Sequence, residues 1–287
     1  MSNEPGKTAL VVEGGGMRGI YAAGILHAFG RENFDPFDLY IGVSAGACHL
    51  ASHLAGQNSR NFDITLRYSL TPRFINPWRF LRGGHLMDLD WMWEQTITHY
   101  RLNLKYLFEN LRAKNKEYFV VATSMKTGEA LYLQPDETTL EDYLKISSSI
   151  PIFYRNILAV KGEPATDGGI ADSIPVRRAY ARGATNIVVL RTRPSDYVKK
   201  QSRLAFLFSF YFRKYPQLVE KFKKRAYNYM ESVNFIHHPP AGVRVIELAP
   251  PANSGVSRIT QNEAALRANY KAGIEQGNKF MKEWRPS

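Results

Sequence analysis

One cysteine, Cys48, stands in the 287 residues, so no disulfide can form within the chain. The fold must close on its own core, which suits a reducing compartment. The N-terminus, MSNEPGKTAL, lacks the basic start and apolar stretch of a secretory signal. No apolar run approaches the ~20 residues that a membrane-spanning helix needs. The longest, Leu204 to Phe212, is interrupted by Ser209. These absences point to a cytoplasmic protein, peripheral at the inner membrane if it touches one. Repeats at a fixed period, low-complexity tracts and a calcium loop of the D-x-[DN]-x-[DN]-G kind are missing too, so neither a solenoid nor a calcium site is expected.

What is present is a core-forming composition, 44% hydrophobic, in a length that fits one large α/β domain spanning 1–287 with embellishments. Charge is one-sided, +12 overall, and unevenly placed. Nine basic residues (Lys199, Lys200, Arg203, Arg213, Lys214, Lys221, Lys223, Lys224, Arg225) face one acid, Glu220, in the segment 199–225. Such a block points to an anionic partner, either nucleic acid or phospholipid headgroups. No nucleic-acid motif accompanies it, so a nucleic acid is the weaker candidate.

Strand and helix patterns alternate. Residues 8–13 read as a buried strand, Ile20 to Phe29 as a helix, 37–43 as a second strand, and Ala45 to Ala55 as a helix ended by Gly56. Residues 57–100, with Trp78, Trp91 and Trp93 among arginines, read as an irregular helical excursion that supplies a pocket lining. A hairpin is expected at 117–124 and 129–134, and a helix from Leu140 to Ser149 stopped by Pro151. Asp167-Gly168-Gly169 reads as a loop and Ser173-Ile174-Pro175 as the opening of a helix. Strands follow at 186–192 and 243–248. Thr260-x-x-Glu263 matches a capping box before a closing helix, giving a C-terminal strand and helix over 243–283. The alternation predicts a three-layer α/β/α fold with a mainly parallel central sheet.

Gly42-Val43-Ser44-Ala45-Gly46 places a serine between a strand and a helix. A serine on so sharp a turn exposes its hydroxyl, and only small neighbours fit beside it. Gly14-x-Gly16-x-x-Gly19 follows the first strand. It matches a dinucleotide-binding loop, but Asp35 and Asp38 lie at the wrong end of the second strand for ribose contact. The same N–H groups would serve as an oxyanion hole beside Ser44, which is the favoured reading. The serine also needs a base. His49 and His53 share a helix face and read as a packed or solvated pair rather than metal ligands. His237-His238 reads as a loop and is the alternative base of a Ser-His-Asp esterase. Asp167 is the other candidate, provided burial raises its carboxyl from the usual ~4.

The three pieces together, Gly14–Gly19 with Arg18, Gly42–Gly46 with Ser44, and Asp167–Gly169, resemble the patatin-like phospholipase family in its bacterial stand-alone form. The resemblance covers residues 8–192, with weaker echoes at Thr127-Gly128-Glu129 and at 147–154. It implies a serine acyl-ester hydrolase of lipids, a phospholipase A or lysophospholipase. It also implies a Ser44–Asp167 dyad and an oxyanion hole from Gly14, Gly15, Gly16, Arg18 and Gly19. Gly42, Gly46, Gly168 and Gly169 would support it, with no metal and no cofactor. The basic, phenylalanine-rich segment 199–225 lies outside the resemblance. It reads equally as a surface for anionic membranes, lysines toward headgroups, or as a core helix with a solvated basic face.

Overall fold

The computed structural model describes residues 6–202 and 205–285, so Arg203 and Leu204 of the basic segment lie outside the described residues. Strand β1 (Lys7–Val12) is apolar from Ala9 to Val12 because both of its faces are covered there. Ala9 and Val11 enter one core cluster, Leu10 and Val12 the other. Helix α1 (Ile20–Arg31), β2 (Leu39–Val43) and α2 (Ala45–Leu54) follow as the opening β–α–β–α pattern expects. After α2 the chain leaves the sheet through α3 (Arg60–Ile64), α4 (Pro77–Leu81), α5 (Leu89–His99) and α6 (Leu104–Ala113). This excursion is held less by regular structure than by one side chain. Arg79 donates to the carbonyls of His85, Arg73 and Phe74 at 2.8, 2.7 and 2.9 Å, taking up backbone acceptors that no helix satisfies.

The hairpin β3 (Glu117–Ser124) and β4 (Ala130–Leu133) forms as expected, and α7 (Leu140–Ser148) follows. Two elements depart from the sequence reading. Residues 158–167 form a second hairpin, β5 (Leu158–Val160) and β6 (Glu163–Asp167), so Asp167 ends a strand rather than sitting in a loop. The polar string EPATD hides it, since Glu, Pro and Asp are residues that strands usually lack. The last residues are α8 (Val176–Ala181), β7 (Ala184–Leu190), α9 (Ala205–Tyr211), α10 (Pro216–Lys223), α11 (Arg225–His237), β8 (Arg244–Leu248) and α12 (Glu263–Glu283). Here the expected capping box fails. Asn262, not Thr260, caps α12, its side chain accepting from the Ala265 N–H at 3.1 Å.

The sheet order is β5-β6-β3-β2-β1-β7-β8, with β4 also on β3. Strands β3, β2, β1, β7 and β8 run parallel; β4 and β6 run antiparallel to β3, and β5 runs antiparallel to β6. One face carries α1, α2, α6, α7 and α12, the other α8 and α11. This is the mainly parallel three-layer α/β/α architecture that the sequence predicts. Helices α1 and α12 approach backbone to backbone. A Cβ on Gly24 would stand 2.2 Å from the Tyr270 carbonyl, and one on Gly273 would stand 2.2 Å from that of Tyr21, so both positions require glycine. No helix among the described residues is long and apolar enough to cross a membrane.

Candidate active site

Strands β1 and β2 are parallel neighbours, so the loops that follow them emerge at one edge of the sheet. That edge carries Gly14–Gly19 after β1 and Ser44 after β2, which brings the first two sequence motifs together. Ser44 sits at φ 54°, ψ −126°, in the left half of backbone space that a residue with a Cβ avoids. The strain is held by its surroundings. The Ser44 N–H donates to Ser147 Oγ at 2.7 Å, and that hydroxyl donates to the Val121 carbonyl at 2.5 Å, tying the turn to α7 and β3. Gly46 then has to be glycine, because a Cβ there would stand 2.5 Å from the Val12 carbonyl.

The third motif arrives from the far side of β3. Thr123 Oγ1 donates to the Asp167 carbonyl at 2.8 Å, which fixes the end of β6. The Asp167 carboxyl accepts from the Gly169 N–H at 2.8 Å and lines the same narrow throat as Ser44. Ser44 and Asp167 are each 6% exposed. Burial raises the Asp167 carboxyl above its usual range, while the guanidinium groups of Arg225 and Arg258, the Ser44 hydroxyl and the Gly169 N–H oppose the rise. The expected direction of that shift is therefore present, with cationic counterweights that the sequence did not announce.

The glycine loop lies against this pair. A Cβ built on Gly14 would be 3.3 Å from Ser44 Cβ. Gly14, Gly15, Gly16, Ser44, Asp167 and Gly169 line one narrow throat of about 10 Å³. The N–H groups of Gly14 and Gly15 make no hydrogen bond to the described residues. Gly19 begins α1 and is buried away from the throat. Arg18 is buried too, but its side chain enters a different cavity, beside Arg193 and Lys199. Glu13, just before the loop, is locked by Arg191 Nε (3.1 Å), the Thr192 N–H (2.7 Å) and the Tyr229 hydroxyl (2.9 Å). That network sets where the glycine loop starts.

Of the histidines, His49 lines the apolar cavity with Ser44, but none lines the throat that Ser44 shares with Asp167. His237 is the last residue of α11 rather than part of a loop, and its Nε2 lies 3.2 Å from Glu247 Oε2 on β8. Neither His237 nor His238 lines a cavity that Ser44 lines. His49 and His53 are packed rather than solvated. Burial pushes the His49 imidazole down to about 4, and its two ring nitrogens have no hydrogen-bond partner among the described residues. Among those residues no group of three His, Cys, Asp or Glu side chains clusters as a metal site would. Asp38 accepts from the Thr8 N–H at the opposite end of β1 from the glycine loop, so the acidic residue of a dinucleotide site is not at hand.

Ser44 also opens onto a cavity of about 150 Å³ lined by Met17, Ile20, Ile64, Phe74, Met87 and Leu89 among others. The excursion supplies much of this lining, as expected, but mainly through aliphatic and thioether side chains. Of its tryptophans only Trp93 takes part, and Trp78 is 71% exposed. Sequence reasoning missed Ser147, Arg225 and Arg258. Ser147 lay inside the SSSIPIFY stretch, a usable signal. Arg225 lay inside the basic block, where its charge read as part of a solvated or membrane-facing surface. Instead its Nε donates to the Gly169 carbonyl at 2.5 Å beside the throat. Nothing in the sequence marked Arg258, whose carbonyl accepts from the Met17 N–H at 3.1 Å.

Comparison with known proteins gives this geometry its context. A family model described as patatin-like phospholipase matches residues 10–180. A model described as a domain of unknown function (DUF6363) matches residues 215–287. The uncharacterized protein YjjU of Escherichia coli K12 is 35% identical over 97% of this chain and 78% of its own length. Lysophospholipase NTE1 of Lodderomyces elongisporus is 26% identical over 99% of this chain but only 20% of its own, so the chain spans about a fifth of that relative. The crystal structure of VipD from Legionella pneumophila aligns with a TM-score of 0.47 at 15% identity, over 98% of this chain and 67% of VipD. The match over most of the sheet and all three glycine-bearing motifs, together with YjjU, establishes that this chain belongs to the patatin-like phospholipase family, a family of lipid acyl hydrolases.

Proposed function

We propose that the protein cleaves fatty-acyl esters of phospholipids or lysophospholipids with Ser44 as nucleophile and Asp167 as base. The observation that carries this reading is the strained Ser44 turn in one narrow throat with the buried Asp167 carboxyl, a throat that no histidine lines. Ser44 Oγ attacks the ester carbonyl as Asp167 takes the hydroxyl proton. The developing oxyanion is received by the free N–H groups of Gly14 and Gly15, aided by the N-terminus of α2. Asp167 returns the proton to the leaving alcohol. Water then attacks the acyl-enzyme, giving its proton to Asp167, and the fatty acid departs as Ser44 is reprotonated. The acyl chain occupies the cavity of Met17, Ile20 and Met87. Ester hydrolysis by the wild type, Ser44→Ala and Asp167→Asn tests the pair, with fluorophosphonate labelling of Ser44 as a second readout. Wild-type turnover in either variant would remove the dyad.

The same reading takes 1–287 as one domain, supported by β8 extending the sheet and α12 covering α1. It also places the protein at the cytoplasmic face of an anionic membrane. Phe206, Phe210 and Tyr211 of α9 are 80%, 59% and 55% exposed, while Phe208 between them is buried against Phe222. Arg213 and Lys214 follow directly. Exposed aromatics beside cations suit the interface of an anionic bilayer. Equal co-sedimentation with anionic and neutral vesicles would count against this placement.

A further inference from the structure

A second cavity, of about 400 Å³, opens on the throat and shares Gly14, Arg225 and Arg258 with it. Of the residues lining the apolar pocket, it uses only Arg258. Besides the exposed Lys200, its walls bring together Arg18, Arg193, Lys199, Arg225 and Arg258 from four separate parts of the chain: the glycine loop, the segment after β7, the start of α11 and the loop before α12. The nearby carboxylates do not neutralise them. Glu13 and Glu247 are ion-paired with Arg191, and none of the five cations is in an ion pair with a described carboxylate. Two are held by aromatic faces instead, Arg193 over Tyr197 at 4.3 Å and Lys199 over Tyr229 at 4.2 Å.

Five converging cations repel one another, and the cavity shows it. Burial, then the charges of Arg193 and Arg258, push the Arg18 guanidinium down to about 10. Burial and Arg258 push that of Arg225 to about 10 as well. Burial and Arg225 hold the Lys199 ammonium well below its ordinary range. Arg18 is only 8% exposed, yet its Nε has no hydrogen-bond partner among the described residues. A buried guanidinium donor without an acceptor, among cations that outnumber the nearby Glu13 and Asp167 carboxylates, is a site prepared for an anion with several oxygens.

We propose that this cavity holds the phosphate of the substrate, and that the enzyme therefore selects phospholipid or lysophospholipid esters whose headgroup carries no positive charge. The proposal rests on the acyl-hydrolase reading above and specifies its substrate. With the ester carbonyl in the throat, the acyl chain lies on the Met87 side and the glycerol phosphate on the Arg193 side. Guanidinium forks match phosphate oxygens two at a time. A choline or ethanolamine headgroup would bring a further cation among these five, which opposes binding even as its phosphate favours it.

The test compares kcat/KM for 1-palmitoyl-glycerol 3-phosphate, 1-palmitoyl-lysophosphatidylcholine and monopalmitoylglycerol, in wild type and in the Arg193→Gln/Lys199→Gln double variant. Calorimetric titration with glycerol 3-phosphate and with inorganic phosphate runs beside it. The wild type is expected to prefer the phosphate monoester over the choline ester by about tenfold or more, about 1.4 kcal/mol. In the double variant that ratio should fall toward one. A ratio cancels any loss of folded enzyme. Equal wild-type rates on the three esters would overturn the proposal. Tight binding of inorganic phosphate without an ester preference would also overturn it, leaving a site for free phosphate. Should the wild type cleave no ester at all, the dyad reading falls. The phosphate site then stands if glycerol 3-phosphate binds and the double variant loses it, and falls if it does not bind.

Discussion

The two sides of the throat are built by opposite physics. The apolar side closes because Ile20, Ile64, Phe74, Met87 and Leu89 gain by leaving water, so its walls are mutually supportive. The cationic side is assembled against the preference of its own residues, since Arg18, Lys199 and Arg225 are all held below their ordinary proton affinity. A region that stabilises the fold tolerates being empty. One that strains it is a candidate for completion by a ligand, which is the anion proposed above. Ser44 and Asp167 sit where the two meet, and Asp167 belongs electrostatically to the second side, through Arg225 and Arg258.

Five experiments break or sharpen that contrast. The largest effect is expected from Ser44→Ala and Asp167→Asn, each lowering kcat/KM by about 10³-fold or more. Asp167→Asn should at the same time stabilise the fold. A carboxyl whose folded pKa is raised costs stability as pH climbs from its unfolded value toward the folded one. The amide removes that cost, so the melting temperature of the variant should exceed wild type at pH 7 and converge with it in acid. Melting curves across pH check this. Equal curves throughout would mean that the cationic side exerts no strain on Asp167.

Next in size is a pH effect. Activity requires ionised Asp167, so kcat/KM should fall as pH drops through a value above the ordinary carboxylate range of ~4. Arg225 lowers that pKa, and Arg225→Gln should move the acid limb to higher pH. An unmoved limb would detach Asp167 from the cationic side. On the apolar side, Ile64→Trp should shift the ratio of long-chain to short-chain ester kcat/KM by about tenfold against the long chain, by filling the pocket. The smallest effect concerns the turn itself. Ser44→Gly should be more stable than Ser44→Ala by about 1 kcal/mol, because glycine accepts φ 54° at no steric cost. Denaturant titration of the two inactive variants measures it.

The same contrast separates what the sequence shows from what it conceals. Packing leaves periodic traces. The unbroken run at 8–13 announced a strand buried on both faces, and Gly42–Gly46 announced the turn that Ser44 occupies. Side chains that meet only across tertiary space leave none. Arg225 was one charge among nine in a basic block, and nothing distinguishes it from exposed Lys223 or Lys224 until α11 starts beside Gly169. Arg258 sits in a loop with no motif at all. His237 looked free beside two prolines, but the register of β8 gives it Glu247. Asp167 was found through its glycines, although the strand that carries it was missed, since EPATD has the composition of a turn.

The backbone contact between Gly24 and Gly273 bears on how the enzyme comes into being. Helix α1 extends the very loop that would receive the oxyanion, and its outer face has no cover until α12 has been synthesised. Ser44 leaves the ribosome early, but Asp167, Arg225 and Arg258 come progressively later, and the helix that clamps the assembly comes after all of them. Contacts of such sequence separation form late in folding. A chain in which α12 has not yet docked thus carries Ser44 beside an α1 whose outer face is uncovered.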